Sequence, residues 1–292
     1  MTRSHDTDPI VRRLRALVQH SPDLKEAARH YEIILPLLRD ADLHVAPVSI
    51  PPDQARTKMA RGLPLLHDIE LELDRAAIGG LMLRLATALG NASGNNRSRY
   101  LLIGQTLAEN RLDMGAFLTH VAADERSEVT SVAQSLQLDP GLLWALAQNA
   151  LKPAWRTWCR QLTPLADVAQ WTHGFCFICG AGAMLGELQE NNLVKHLRCG
   201  QCGADWPSRR LQCMYCGNED HHTLGYLYAE PDQEKMRVEV CEKCHGYLKV
   251  IVSFSPTPSD LLVASDLATL HLDYIAQERG YARLAVDMLF AS

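Results

Sequence analysis

The chain has 292 residues, of which 47% are hydrophobic and 22% are charged, and its formal net charge at pH 7 is −5. That length suits one large domain, or one medium domain with small modules, and the hydrophobic fraction is sufficient for a buried core. The sequence contains no long run of either sign of charge. The composition therefore gives no general electrostatic reason to bind nucleic acid or an anionic membrane.

The N-terminal segment from Met1 to Leu14 is polar and lacks the apolar core of a secretory signal peptide. No apolar run approaches the roughly 18 residues that a membrane-spanning helix needs. We therefore expect a cytoplasmic protein without membrane insertion. Because disulfides are rare in that compartment, paired cysteines in such a chain more often hold a metal.

Apolar residues recur at helical spacing through the first 170 residues, with a proline-rich loop at 45–66. In chain order, the predicted helices cover residues 10–18, 22–42, 68–89, 100–110, 112–123, 125–136 and 141–162, and the loop contains at most one short helix, at about 54–61. Histidines and carboxylates are scattered here without catalytic spacing, so we predict no catalytic or organic-cofactor-binding residues and no enzymatic activity. We interpret residues 1–170 as a helical scaffold or docking domain.

The last of these helices follows Asp139 and Pro140, which suit a cap and a first turn. We expect its three tryptophans to be core anchors: Trp144, Trp155 and Trp158. Cys159 lies beside the last of them, and we predict that it is a buried core thiol.

Eight of the nine cysteines form four Cys-x-x-Cys pairs within about seventy residues. We number these knuckles in chain order: Cys176/Cys179, Cys199/Cys202, Cys213/Cys216 and Cys241/Cys244. The two-residue gap lets both thiols of a knuckle face one ion, and eight thiols suffice for two tetrahedral four-sulfur sites. A single pair would be weak evidence, but four in succession strongly predict metal binding.

The first and second knuckles enclose one pair of predicted strands, and the third and fourth knuckles enclose another. The strands cover residues 184–188 and 193–198 in the first module, with a turn at 190–192, and residues 224–228 and 236–240 in the second, with a turn at 231–232. A hairpin brings its two ends together, so each module should gather its own thiols. We predict site one from Cys176, Cys179, Cys199 and Cys202, and site two from Cys213, Cys216, Cys241 and Cys244. Cross-braced pairing between the modules is the alternative.

The predicted fold class is α+β and mostly α. A helical N-terminal domain precedes two tandem rubredoxin-like or zinc-ribbon modules, at 171–210 and 211–255, and a C-terminal helical tail at 256–292 packs back on the body. Glycines follow three knuckles, where a residue that tolerates positive φ eases the turn round a metal. The fourth knuckle has His245 before its glycine. His245 could replace a cysteine ligand, but four thiols already complete that site.

Tetrahedral four-sulfur sites accept zinc or iron, and the spacing alone favours zinc in a structural role. An iron–sulfur cluster is a further alternative. Nucleic-acid binding is disfavoured, since residues 171–255 contain eight Lys or Arg against ten Asp or Glu. Tyr226 and Tyr228 fall at strand-core spacing, so we expect them to be buried. We expect His221 and His222 to lie at the surface.

Several motifs in the second half occur together in one known family. In chain order they are Phe175–Gly180, the second knuckle followed by Trp206, Cys213–Gly217, Val240–Lys249 with its Tyr-Leu-Lys sequence, Asp266–Asp273 with its Asp-Leu-Ala sequence, and Glu278–Tyr281. Together they resemble the FdhE family of formate dehydrogenase accessory proteins. The specific resemblance spans about Phe175 to Arg283, while the N-terminal half matches by size and helical character.

The resemblance implies a cytoplasmic maturation factor that is required for active formate dehydrogenase and contacts its catalytic subunit before export or final assembly. It also implies rubredoxin-like sites, which moves the metal preference slightly towards iron, with zinc as the alternative. The rival hypotheses are a rubredoxin-like electron carrier or redox sensor and, less favoured, a nucleic-acid-binding zinc ribbon.

Overall fold

The structure is a computed structural model that describes residues 8–20, 22–189, 193–230 and 234–284. These residues form two compact units. The first contains the described residues up to Pro47 together with Glu70–Thr157, and the second contains Val48–Ile69 together with the described residues from Trp158 onward. The turns predicted at 190–192 and 231–232 lie outside the described residues, as does the end of the predicted C-terminal tail.

Helices dominate the first half of the chain, as predicted. Those described are α1 (Pro9–His20), α2 (Lys25–Arg39), α3 (Pro52–Ala60), α4 (Arg75–Ala92), α5 (Arg97–Ala108), α6 (Met114–Ala122), α7 (Arg126–Ser135), α8 (Pro140–Leu162), α9 (Leu262–Ala268) and α10 (Leu270–Glu278). Short 3-10 helices lie at Pro22–Leu24, Thr163–Leu165 and Val168–Gln170. None of the described helices combines the length and apolar character needed to cross a membrane.

The largest shift from prediction is at α4, which begins at Arg75 rather than seven residues earlier. Leu73 forms an isolated antiparallel bridge with Val45, which keeps the preceding segment extended. Asp74 then caps the helix, since its carboxylate accepts a hydrogen bond of 2.9 Å from the Ala77 backbone N–H. A contact distant in sequence therefore overrides the local apolar spacing.

The tryptophans of α8 do not all have the same environment. Trp155 and Trp158 are buried, as predicted. Trp144 is only half-buried, and the guanidinium carbon of Arg126 lies 4.8 Å from its ring centroid. The prediction of a core anchor is therefore wrong for Trp144, whose ring forms a surface cation–π contact instead. Cys159 is buried, as predicted.

The second unit contains one six-stranded mixed sheet. Its strands are β1 (Ala183–Gln189), β2 (Val194–Cys199), β3 (Asp205–Pro207), β4 (Leu224–Leu227), β5 (Met236–Cys241) and β6 (Tyr247–Ser253), in the spatial order β3-β2-β1-β6-β5-β4. The predicted hairpins are the antiparallel pairs β1–β2 and β4–β5. Parallel pairing of β1 with β6 joins them, so the two cysteine modules share one sheet.

The sequence pattern does not predict β3 or β6. β3 has only three residues, and β6 lies in the interior of the sheet, with residues 247–251 all buried. A strand covered on both faces loses the alternation of apolar and polar residues that identifies a strand. In β5 the predicted alternation is present, because Val238 and Val240 are buried while Arg237 and Glu239 are half-buried.

The predicted C-terminal helix is two short helices, α9 and α10, which meet at Thr269. Leu272 and Ala276 of α10 pack on the sheet in a buried cluster with Val238, Val240 and Tyr247. This packing places α10 beside β6 and the fourth knuckle.

Candidate metal centres

Site one is assembled by the β1–β2 hairpin. Its first knuckle precedes β1, and its second begins at Cys199, the last residue of β2. The register pairs Ala183 with Cys199. The Sγ atoms of Cys176 and Cys202 are 3.5 Å apart, as are those of Cys179 and Cys199. All four sulfurs lie within 4.8 Å of one another.

Site two is assembled in the same way by the β4–β5 hairpin, whose register pairs Leu224 with Cys241. The Sγ atoms of Cys213 and Cys244 are 3.6 Å apart, and those of Cys216 and Cys241 are 3.7 Å apart. These sulfurs also lie within 4.8 Å of one another. The eight thiols are thus grouped within their own modules, and all are free rather than disulfide-bonded.

Three knuckles turn through a glycine with positive φ: Gly180 at +80°, Gly203 at +82° and Gly217 at +67°. In the fourth, His245 takes that position with φ of +56°. Gly246 follows it because a Cβ there would lie 2.5 Å from Cδ2 of Tyr215. The exposed His245 is therefore part of the turn and not one of the four clustered thiols.

Hydrogen bonds to sulfur favour thiolate charge at both sites. Backbone N–H groups of Ile178 and Cys202 point at the sulfurs of Cys176 and Cys199, each at 3.4 Å. The pattern continues in site two, where the side-chain amide of Asn218 lies 3.6 Å from the Cys241 sulfur. Such donors partly offset the negative charge of a four-thiolate site.

The acidities of the thiols are strongly unequal. Burial raises the pKa of Cys176 and of Cys202. Burial also raises the pKa of Cys241, but backbone N–H bonds from Cys244 and Lys243 act with other hydrogen bonds to outweigh it and bring the value to about 7. In the same site, burial raises the pKa of Cys244 to about 11. Four crowded thiols therefore cannot all ionise together without a cation to balance them.

The donor set fits a divalent metal ion. Four sulfurs that each lie about 2.3 Å from one ion are about 3.8 Å apart in tetrahedral geometry. The close sulfur pairs in the two sites are separated by 3.5–3.7 Å, which is within a few tenths of an ångström of that value. Both clusters could hold a metal ion, and the same geometry suits zinc and iron.

The two sites differ in their access to solvent. In site one, only Cys179 is not fully buried. The 48–69 segment covers the first knuckle, because the Leu65 and Leu66 N–H groups donate to the carbonyls of Phe177 and Ile178. In site two, by contrast, Cys216 is exposed and Cys244 is half-buried.

The ninth cysteine lies beside site one. A hydrogen bond with Cys202 lowers the pKa of Cys159. At the end of α8 the Thr163 hydroxyl donates to the Cys159 carbonyl at 2.7 Å, and its oxygen lies 3.8 Å from the Cys159 sulfur. The sequence gives no sign of this proximity, since 43 residues separate the two cysteines.

Other predictions about the second module meet mixed outcomes. His221 and His222 are exposed, as predicted, and share an exposed turn with Asp220. The prediction that Tyr226 and Tyr228 are buried is wrong, because 61% and 42% of their surfaces are exposed. Tyr226 lies on the face of β4 opposite to Leu227, which packs towards α10, and Tyr228 directly follows the strand.

A buried polar cluster beside site two is the main feature that spacing arguments miss. It joins Tyr247 and Lys249 of β6 to Asp266 and Asp273 of the C-terminal helices, with Arg283 beyond them. The sequence signal was present in the Tyr-Leu-Lys and Asp-Leu-Ala motifs, but nothing in their spacing indicates that they meet.

This fold and these sites define a class: an α+β protein in which two four-cysteine clusters, each able to hold a metal, are built into one mixed sheet. Residues 211–290 match the family described as FdhE, C-terminal domain. The crystal structure of the FdhE protein from Pseudomonas aeruginosa has the same fold, with a TM-score of 0.63 at 24% identity, covering 100% of this chain and 98% of that one.

Curated relatives with the name Protein FdhE homolog agree with this match. The relative from Stutzerimonas stutzeri is 34% identical over 146 residues, which is 49% of this chain and 47% of that protein. The relative from Shewanella oneidensis is 29% identical over 217 residues, or 72% of this chain and 66% of that protein. The first of these alignments spans about half of the relative's length. The chain carries an FdhE C-terminal domain and the FdhE fold, which confirms the resemblance predicted from the motifs.

Proposed function

We propose that this chain is a cytoplasmic accessory protein, not itself a catalyst, that is needed for assembly of active formate dehydrogenase. It binds the immature catalytic subunit of that enzyme and carries a metal ion in each of its two four-cysteine sites. The helical N-terminal domain, residues 1–170, is the proposed docking region. Nucleic acid and membrane are not partners in this proposal.

One observation carries the proposal. The thiols that match the motifs of the FdhE family are the thiols that meet in two groups of four, and in site one backbone N–H groups are directed at two of the sulfurs. A function that needed the cysteines singly would not require both groupings. No open coordination position or general base is required by such four-sulfur sites, which supports an accessory role over a hydrolytic one.

The eight cysteines are the proposed metal ligands. A bound ion would supply either rigid cross-linking of two knuckles, if it is zinc, or a one-electron couple, if it is iron. We favour iron slightly, on the family resemblance. The chain's own contribution is to hold the sulfurs at tetrahedral spacing, to screen their charge with N–H donors and to exclude water from site one.

The direct test replaces Cys176 and Cys179 together by serine. We expect metal content to fall from two ions per chain to one or fewer, and formate dehydrogenase activity to be lost in a host that lacks its own accessory protein. Elemental analysis of anaerobically purified protein and a formate-oxidation assay measure the two effects. Cys159→Ser is the matched control for loss of a thiol beside site one: serine keeps a hydrogen-bonding group next to Cys202 and leaves all eight proposed ligands, so the variant should retain both ions and full activity.

Normal dehydrogenase activity in the double variant would refute the proposed role. Retention of the immature catalytic subunit on the immobilised chain supports the partner assignment, and its absence from the bound fraction under anaerobic conditions would count against it.

A rubredoxin-like electron carrier or redox sensor is the second candidate, because the exposed Cys216 gives site two a route to solvent. That function predicts a reversible visible redox couple and no dependence of dehydrogenase activity on the chain. Two zinc ions and a colourless protein would eliminate it.

A further inference from the structure

The polar cluster beside site two lines a cleft of about 550 Å³ between β6 and α10. We call it the motif cleft, because it is formed by residues of the Tyr-Leu-Lys and Asp-Leu-Ala motifs. The charged and hydroxyl groups that line it are Tyr247, Asp266, Asp273 and Arg283, and the buried Lys249 contacts the two aspartates. The thiol chemistry of the metal sites uses none of them.

Lys249 is fixed against the two carboxylates of the cleft. Its side chain is fully buried, and its ammonium donates to Asp273 Oδ2 at 2.6 Å and to the backbone carbonyl of Asp266 at 2.7 Å. It also lies 2.9 Å from Asp266 Oδ1. These three acceptors match the three hydrogens of an ammonium group. One lysine balances one of the two carboxylates, so a single negative charge remains for another cation to balance.

Arg283 supplies that second cation. Its Nη2 lies 2.7 Å from Asp266 Oδ1 and 3.2 Å from Asp273 Oδ1. Its guanidinium carbon is 5.9 Å from the ring centroid of Tyr247, whose hydroxyl donates to Asp273 at 2.7 Å. Two carboxylates beside an aromatic ring are the chemistry that recognises a guanidinium group.

Arg283 is held less firmly than Lys249. Its side chain is 37% exposed, and its segment lies after α10, outside any helix or strand. That segment is joined to the fourth knuckle by two backbone hydrogen bonds, from Ala282 N–H to the His245 carbonyl at 2.8 Å and from Tyr247 N–H to the Ala282 carbonyl at 3.1 Å. One side of the cleft is therefore formed by a short segment that carries its own arginine.

The helix α10 lines one side of the cleft and carries an exposed aromatic residue nearby. Leu270 and Gln277 line it along one face of α10. Tyr274 lies on the same helical face, one turn from each of them, and is 61% exposed. An exposed tyrosine on the helical face that lines the cleft is a residue type enriched in protein interfaces.

We propose that the motif cleft recognises an arginine side chain of a partner protein, which takes the position that Arg283 holds in the chain alone. The two carboxylates bind the incoming guanidinium, Tyr247 packs beside it and Lys249 holds the carboxylates in place. Because the displaced segment is bonded to His245, binding loosens the fourth knuckle of site two. This inference deepens the proposed function. It rests on that function only for the identity of the partner protein.

The test uses the full chain and N-acetyl-arginine amide as the probe. In Arg283→Ala the cleft lacks its internal competitor, so we expect the probe to bind at least about tenfold more tightly than to wild type. Arg279→Ala, which removes an exposed arginine just before the same segment, should bind as wild type does. Titration calorimetry gives the dissociation constants, and N-acetyl-citrulline amide, which is uncharged, should not bind to any of them.

Adding Asp273→Asn to Arg283→Ala should abolish the gain. Equal probe affinity in wild type and Arg283→Ala, with both ions retained in each, would overturn the proposal. If Arg283→Ala loses metal, Arg283→Gln keeps the side-chain volume and gives the same comparison. The probe experiment does not involve the dehydrogenase. Failure of maturation assays with intact probe binding would therefore count against the proposed function alone, and the reverse result against the cleft alone.

Discussion

In the second unit, the charges of Lys249 and Asp266 are balanced by ion pairs and hydrogen bonds. Lys249 has no contact with solvent, yet each of its three ammonium hydrogens faces an oxygen within 2.9 Å. Asp266 is partly buried, and although burial raises its pKa, the charges of Lys249 and Arg283 outweigh that and hold the pKa below the ordinary value of 3.8. Its ionised form therefore stabilises the fold above pH 3.8 and loses that contribution as the pH falls through the lowered pKa.

Replacing Lys249 by Met tests this arrangement. The change keeps the side-chain volume but leaves Asp266 and Asp273 with one cation between them, and breaking a buried charge pair in this way costs about 3–5 kcal/mol. We expect that loss in the free energy of unfolding measured by urea titration at pH 7. Lys25→Met, on an exposed position of α2, should change stability by no more than about 0.5 kcal/mol. A similarly small effect at Lys249 would show that water or Arg283 compensates the negative charge of the two carboxylates.

At the scale of the element, the fourth knuckle differs from the other three in using a histidine where they use a glycine. His245 adopts the left-handed conformation that glycines adopt in the other three. The next residue has a separate requirement: Gly246 packs so closely on the Tyr215 ring that it admits no Cβ, and the Tyr215 hydroxyl is fixed by donating to the Tyr247 carbonyl at 2.9 Å.

Two single substitutions separate these requirements. His245→Gly should raise the free energy of unfolding by up to about 1 kcal/mol, because it removes left-handed strain but adds freedom to the unfolded chain. Gly246→Ala should lower it by about 1–3 kcal/mol, because the new methyl group meets a ring that is held in place. Urea titration of the metal-loaded protein measures both. Loss of metal in His245→Gly would instead indicate that the imidazole supports site two.

At the scale of the whole chain, the parallel pairing of β1 with β6 makes one sheet of two metal-binding hairpins. Residues 186–189 of β1 pair with residues 250–253 of β6, and β6 begins just after the fourth knuckle. Main-chain hydrogen bonds therefore form a continuous connection between the two hairpins. Tandem modules joined only by a linker would lack this connection.

Serine replacement of Cys213 and Cys216 tests the coupling between the sites. If the shared sheet transmits the loss of site two, site one should release its ion to a chelator several-fold faster than it does in wild type, since metal binding and folding are linked. Timed chelator challenge followed by elemental analysis gives the rate. Unchanged release from site one would mean that the two hairpins behave as independent modules.

The sequence alone was sufficient for features set by short-range spacing. The two-residue gap between paired cysteines and the strand-turn-strand pattern between knuckles predict which thiols meet, because a hairpin is closed by neighbouring residues. Helical periodicity likewise predicts the helices of the first half, with errors at ends such as that of α4. The family motifs predict the resemblance to FdhE, which the C-terminal domain match confirms.

Only the tertiary structure decided features that depend on contacts between distant segments. Because β6 is buried on both faces, its sequence lacks the alternation that identifies a strand. The strand order that joins the two modules cannot be predicted from the sequence of either hairpin. The outward face of Tyr226 follows from where α10 packs, and the motif cleft exists because β6 and the C-terminal helices converge. Local periodicity records the neighbours of a residue along the chain, whereas burial and charge pairing depend on the segments that fold against it.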